Sequence, residues 1–164
     1  MHAMVSSSFP VSQALSLPQD DVARTVAAAL AEDIGQGDIT SLAVISPQTM
    51  ASCQLRAREP MVLAGLAYTV SAFRQCDPSV EIDIHYQDER EVEAGAVIAT
   101  LSGLAQPMLT AERTAVNFLQ ILSGIATLTR HYADALRGTR AKLLDTRKTL
   151  PGLRLASKYA ASLV

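Results

Sequence analysis

The sequence has no tryptophan and only four tyrosines and three phenylalanines, so aliphatic side chains must supply its core. That composition favours helices packed closely on a sheet. The two cysteines, Cys53 and Cys76, lie outside any zinc-site or disulfide-framework spacing, and we expect both thiols to be structural and buried or half-buried. Runs of about 18 apolar residues and the features of a secretory signal are also absent, which predicts a cytoplasmic protein.

The net charge of −2 conceals a strong asymmetry along the chain. Residues 1–136 carry seven Lys/Arg against fifteen Asp/Glu, whereas residues 137–164 carry seven Lys/Arg against Asp145 alone. Such a compact basic cluster suits a small anionic ligand better than a nucleic acid, which needs a broader basic surface with stacking aromatics. Charge alone is equally compatible with an ordinary solvated helix face.

The apolar pattern predicts a flexible arm over residues 1–19, an α+β domain over residues 20–106, and a third part over residues 107–164. In the second part, apolar residues repeat at helical spacing over residues 20–34 and 66–76. Strict alternation over Val80–Tyr86 predicts a half-buried strand. Further short strands are expected at Ser52–Arg58, Met61–Leu63 and Val92–Leu101. We therefore expect helices on a largely antiparallel sheet.

The third part predicts a long buried helix over residues 108–136, a short strand at Lys142–Leu144, and a final helix from about Gly152. A strand, loop and helix in this order are typical of the opening of an α/β barrel. Parallel strands are normally covered on both faces and paired with neighbours. The neighbours are missing here, so we expect an incomplete α/β barrel.

The loop after the predicted strand carries Asp145-Thr146-Arg147-Lys148-Thr149. Ligands of α/β folds bind at the edge of the sheet where the strands end. A guanidinium can donate two parallel hydrogen bonds to a carboxylate, while an ammonium supplies a compact charge to a phosphate. Taken alone, the same five residues are equally compatible with a charged surface loop.

Three further segments join this motif in one order along the chain. They are Glu32-Asp33-Ile34-Gly35-Gln36-Gly37-Asp38-Ile39-Thr40-Ser41, Arg56-Ala57-Arg58-Glu59-Pro60, and Leu109-Thr110-Ala111-Glu112-Arg113-Thr114-Ala115 continuing to Thr127. Together with the motif at 145–149 and the following Pro151-Gly152-Leu153-Arg154, they resemble the quinolinate phosphoribosyltransferases, the carboxylating nicotinate-nucleotide pyrophosphorylases of NAD biosynthesis. The resemblance covers about residues 17–159.

The resemblance implies a magnesium-dependent reaction in which quinolinate and phosphoribosyl pyrophosphate give nicotinate mononucleotide, pyrophosphate and CO2. It implies a homodimer in which Arg113 reaches the partner's site, and a substrate pocket lined by Thr146, Arg147 and Lys148. Lys148 is the expected catalytic residue, because it would hold both charged reactants and stabilise charge on the departing pyrophosphate. Glu112 is expected to orient Arg113.

Other charged residues have less specific expectations. Asp33 and Asp38 are expected to act as caps and loop anchors, and Arg154 and Lys158 as helix-surface charges. Arg56 and Arg58 are compatible with either a solvent face or an interface.

The sequence departs from the family's pattern in two places. Leu150 replaces a second threonine, and the family continues beyond Val164 with further substrate residues and the acidic residues that hold magnesium. We therefore expect no metal ligands in this chain, weak binding of a pyridine dicarboxylate, and no turnover by the 164 residues alone, as for an inactive fragment. The alternatives are a related pyrophosphorylase of the kind associated with molybdenum uptake, and a non-catalytic dimerisation or regulatory piece.

Overall fold

A computed structural model describes residues 15–164, so most of the arm predicted over residues 1–19 lies outside the described residues. The elements of the described chain are α1 (Gln19–Ile34), α2 (Ile39–Val44), β1 (Met50–Arg56), β2 (Met61–Val62), α3 (Leu66–Cys76), β3 (Glu81–Ile84), β4 (Glu91–Val92), β5 (Val97–Leu104), α4 (Ala105–Ala135) and α5 (Arg154–Ser162). The α+β character predicted for the first domain is confirmed. Within residues 15–164, no helix is both long and apolar enough to cross a membrane.

The strands form a three-stranded antiparallel sheet in the order β1-β5-β3 and a two-stranded antiparallel ribbon of β2 and β4. All three strand pairings agree with the predicted antiparallel sheet. Strand β5 lies in the centre and buries Ile98 and Leu101, whereas β1 is an edge strand that is largely exposed on both faces. Cys53 lies on this edge and is exposed, so the expectation of a buried or half-buried thiol is wrong there.

Helices α3 and α4 pack against each other on the sheet and form the centre of the core. Tyr68 of α3 stacks on Phe118 of α4, with 5.0 Å between the ring centroids. Gly65 begins the turn into α3 with φ = 103°, and a Cβ there would lie 2.9 Å from Cδ1 of Leu122. Two causes therefore explain a glycine at this junction: a side chain would clash with Leu122, and other residues are strained at this positive φ.

The 31-residue helix α4 is about 46 Å long at 1.5 Å per residue. It begins at Ala105, and Pro107 is tolerated in the first turn because its missing amide would have no helical partner there. The helix crosses the boundary predicted at residues 106 and 107 without interruption. The division into two domains at that position stays a prediction.

The strand predicted at Lys142–Leu144 is wrong: these residues are exposed and irregular. A strand needs a neighbour to receive its amide hydrogen bonds, and the described residues contain no strand after Leu104. The final helix is confirmed as α5, which buries Ala156 and Ala160 against the core around α4. The chain therefore returns to its scaffold through a helix and not through a sheet.

Candidate functional site

Residues 145–149, here called the site loop, form a hydrogen-bonded turn after the exposed segment that follows α4. Oδ1 of Asp145 accepts the backbone amide of Thr146 at 2.6 Å, and Oγ1 of Thr146 accepts the amide of Lys148 at 3.1 Å. The second carboxylate oxygen of Asp145 accepts Nζ of Lys158 on α5 at 2.5 Å. Both oxygens of Asp145 are therefore engaged, and the loop is fixed by polar contacts without any buried side chain.

Thr146, Arg147 and Lys148 are all exposed on the site loop. No ion pair of the described residues includes Arg147 or Lys148. Asp145 is the one acidic residue among positions 137–164, and it is paired with Lys158. It therefore does not neutralise the charge of Arg147 or Lys148. The loop can therefore offer a guanidinium, an ammonium and a hydroxyl to an anion from a single turn.

Arg113 lies on α4, and its side chain is 64% exposed. An exposed side chain is what the expected reach of Arg113 into a partner's site requires. Its Nε donates to Oδ2 of Asp33 on α1 at 3.2 Å, and among the described residues it makes no hydrogen bond or ion pair with the site loop. The structure thus brings Thr146, Arg147 and Lys148 together and leaves Arg113 apart from them.

The corner between α1 and α2 supports Arg113. Asp38 caps α2 by accepting the amide of Ser41 at 3.1 Å, and it accepts Oγ1 of Thr110 at 3.3 Å. Hydrogen bonding from the side chain and backbone of Ser41, helped by Thr110 and the charge of Arg113, lowers the pKa of Asp38. The cap expected of Asp38 is confirmed, and the residue that orients Arg113 is Asp33 and not Glu112.

A second carboxylate, Asp88, was not singled out by the sequence. Its two oxygens accept the amides of Gly65 and Leu66 at the start of α3, at 3.0 and 3.2 Å. The phenol of Tyr159 on α5 also donates to Oδ2 of Asp88, at 2.7 Å. Burial, together with the bond to Asp88, raises the pKa of Tyr159, so the phenol remains a donor at neutral pH. Asp88 therefore joins α5 to the first domain.

The remaining candidate residues belong to the scaffold. Arg56 donates to the carbonyl of Gly95 at 3.2 Å and to Gln54 at 2.6 Å, which ties it to the sheet. Arg154 is exposed at the start of α5, as expected of a surface charge, whereas Lys158 is half-buried and paired with Asp145. Two open grooves lie beside α1, and neither is lined by Arg113 or by the site loop.

Metal-binding capacity is limited in the part of the chain that the structure describes. It contains no group of three or more histidine, cysteine or acidic side chains that could hold a metal ion. Asp145, the carboxylate of the site loop, has both oxygens engaged by Thr146 and Lys158. No magnesium site made by protein side chains alone is therefore found among the described residues.

Two family sequence models match consecutive parts of the chain. The model described as quinolinate phosphoribosyl transferase, N-terminal domain, matches residues 38–123, and the model of the C-terminal domain matches residues 125–163. The first match contains Arg113 and the second contains the site loop, so both halves of the candidate site fall within one family.

Individual relatives agree with these matches. A probable carboxylating nicotinate-nucleotide pyrophosphorylase of Synechocystis sp. is 41% identical over 82% of this chain and 45% of its own length. A chloroplastic protein of the same name from Arabidopsis thaliana is 40% identical over 88% of this chain and 41% of its own length.

A solved structure agrees as well. The nicotinate-nucleotide pyrophosphorylase of Francisella tularensis is 40% identical, with a TM-score of 0.87 over 94% of this chain and 55% of that chain. The chain thus spans about half, or less, of the length of the relatives it matches. Its sequence and its fold place it in the quinolinate phosphoribosyltransferase family.

Proposed function

We propose that this chain forms part of a phosphoribosyltransferase that converts quinolinate and phosphoribosyl pyrophosphate to nicotinate mononucleotide, pyrophosphate and CO2. The observation that carries the proposal is the site loop, which presents Arg147 and Lys148 without an ionic partner among the described residues. Both reactants are anions, and family membership gives the reaction class. This function explains the basic residues of 137–164 better than a solvated helix face does. Asp145, the one acidic residue there, pairs with Lys158 and not with Arg147 or Lys148.

The residue types of the site loop suit a pyridine dicarboxylate. The guanidinium of Arg147 can donate two parallel hydrogen bonds to one carboxylate, a geometry that an ammonium cannot provide. The hydroxyl of Thr146 accepts the amide of Lys148, which leaves its own proton available for a ligand oxygen. Lys148 then lies one residue from the carboxylate-binding arginine and can stabilise charge on the leaving pyrophosphate.

Arg113 is proposed to serve the site of a second copy of the chain. It is exposed, held by Asp33, and separate from its own site loop. Beside it, α2 exposes Ile39, Leu42 and Val44 by 64–77% of their surfaces. An exposed apolar helix next to a functional arginine supports a dimer interface there. Sedimentation equilibrium tests this proposal, and a chain that stays monomeric at all concentrations contradicts it.

Magnesium remains a proposal that rests on the family, and a cytoplasmic location remains one that rests on the sequence. When bound, magnesium would neutralise the pyrophosphate of the phosphoribosyl donor. Waters and the phosphates of the donor itself usually supply most of the ligands of such a magnesium ion. The relative from Arabidopsis is named as chloroplastic, which keeps the location open to a direct test by fractionation of the source cells.

Calorimetric titration of the chain with quinolinate tests the function. Arg147→Met should weaken binding by roughly 5- to 10-fold, because an exposed charged hydrogen bond is screened by solvent and contributes about 1 kcal/mol or slightly more. The matched control is Arg140→Met, an exposed arginine of the same basic segment without an ion pair among the described residues.

Equal losses in the Arg147 and Arg140 variants would indicate nonspecific attraction and contradict the assigned pocket. A turnover assay with magnesium and phosphoribosyl pyrophosphate accompanies the titration. We expect no nicotinate mononucleotide from the 164-residue chain alone, and its formation would show that the site is more complete than proposed.

A further inference from the structure

Asp145 is the one acidic residue among positions 137–164, and it lies two and three positions before Arg147 and Lys148. Both of those side chains are long and flexible enough to fold back onto a carboxylate at this separation. Such a pairing would compensate the two charges that the site loop presents to a ligand. The carboxylate of Asp145 can therefore compete with an anionic ligand for Arg147 and Lys148.

In the structure, both carboxylate oxygens of Asp145 have other partners. Oδ2 of Asp145 lies 2.5 Å from Nζ of Lys158, and Oδ1 accepts the amide of Thr146 at 2.6 Å. The side chains of Lys158 and Asp145 are 31% and 38% exposed, so the pair is partly shielded from water. With both oxygens directed to other partners, the carboxylate makes no bond to Arg147 or Lys148.

Lys158 is itself held by a rigid support. Its neighbour Tyr159 donates to Asp88 at 2.7 Å, and Ala156 and Ala160 bury one face of α5 in the core. Ser157 donates to the carbonyl of Leu153 and reinforces the first turn of the helix. The ammonium therefore projects from a fixed helix towards a loop that has no packing of its own.

We propose that Lys158 is a positioning residue that holds Asp145 away from Arg147 and Lys148 and so keeps both cations available to an anionic ligand. This inference rests on the proposed function for the class of ligand. It assigns a role to Lys158 that differs from a helix-surface charge. Lys158 need not touch the ligand, because it acts through the carboxylate.

The test compares variants of the 164-residue chain by titration with quinolinate. Lys158→Met should weaken binding by about 5- to 10-fold, since Asp145 then competes for the site cations. Lys158→Arg, which keeps the charge, should bind within about twofold of the wild type. The control Lys142→Met removes the same charge from an exposed position of the same segment and should change the affinity by less than about twofold.

The double variant Asp145→Asn/Lys158→Met distinguishes the positioning effect of Lys158 from the effect of its charge on the net charge of the chain. It has the net charge of the wild type and no longer contains the competing carboxylate, so it should recover most of the lost affinity. Equal effects of Lys158→Met and Lys142→Met would overturn the proposal, as would a double variant no better than Lys158→Met. If Lys158→Met does not fold, Lys158→Gln takes its place with the same expected loss of affinity, and a loss no larger than that of Lys142→Met contradicts the proposal.

A second readout needs no ligand and keeps this proposal separate from the proposed function. In Lys158→Met, the side-chain nitrogen resonances of Arg147 or Lys148 should shift as one of them pairs with Asp145, and Asp145→Asn should reverse the shift. If quinolinate does not bind the wild type but these resonances behave as expected, the proposed function fails and the positioning role stands. Unchanged resonances in Lys158→Met overturn the positioning role, whatever the ligand does.

Discussion

The scaffold and the segment that carries the site loop are stabilised in different ways. Residues 19–135 bury nearly all of the core, whereas none of the side chains from position 136 to 153 is buried. Apolar packing stabilises the first region, and a few polar contacts, notably that between Lys158 and Asp145, fix the second. Chemistry-bearing residues can therefore be changed at little cost to the fold, while core changes should affect both regions together.

The largest effect is expected from Leu122→Ala. Leu122 is fully buried on α4, so the truncation should lower the free energy of unfolding by about 2–5 kcal/mol through lost transfer energy and a residual cavity. The control is Leu144→Ala, since Leu144 is 84% exposed beside the site loop and its loss should cost less than about 0.5 kcal/mol. Urea denaturation measures both, and similar costs would remove the distinction between the two regions.

A smaller effect is expected from Tyr159→Phe, which removes the bond between α5 and Asp88. The free energy of unfolding should fall by about 1–2 kcal/mol, because a hydrogen bond to a charged acceptor is lost from a half-buried place. Tyr132→Phe is the matched control, since Tyr132 is exposed on α4 and makes no hydrogen bond among the described residues. Amide exchange should also quicken in α5 before it quickens in α3, and equal acceleration in both helices would show that the bond is not a local connection.

The smallest effect concerns acid stability at the corner that supports Arg113. The pKa of Asp38 is lowered in the folded chain, so its charged form contributes stability that is present above the unfolded pKa of about 3.9. That contribution is lost as the pH falls through the lower folded pKa. The urea midpoint of the wild type should exceed that of Asp38→Asn at pH 6, and the difference should shrink below pH 3. A difference that is independent of pH would show that the charge of Asp38 has no part in the cap.

The sequence predicted those parts of the fold that depend on local patterns. The bounds of α3 follow from its apolar spacing and from Asp77-Pro78, and β3 follows from strict alternation. The short helix α2 was missed because six residues give too little periodicity, although Asp38 followed by Ser41 offered a cap signal. The strand predicted at Lys142–Leu144 was wrong because a strand forms only where a partner strand receives its backbone hydrogen bonds, and the described residues contain no strand after Leu104.

The site, like the fold, could be predicted only where it depends on residues that are close together in the sequence. Thr146, Arg147 and Lys148 are adjacent in the chain, so their common loop could be inferred from the motif. The partners of the charged residues could not, since 80 positions separate Asp33 from Arg113 and 71 separate Asp88 from Tyr159. Glu112 was the nearest acid in sequence to Arg113, but neighbours on a helix point to different sides.

Asp88 has a consequence for the order in which the chain is assembled during synthesis. Its contacts with Gly65 and Leu66 join residues that are 23 and 22 positions apart in the chain, whereas Tyr159 emerges from the ribosome 71 positions after Asp88. The start of α3 can therefore be capped while α4 and α5 are still being made. Tyr159 then meets a carboxylate that is already in place, so we expect α5 and the site loop to join this scaffold after the start of α3 is capped.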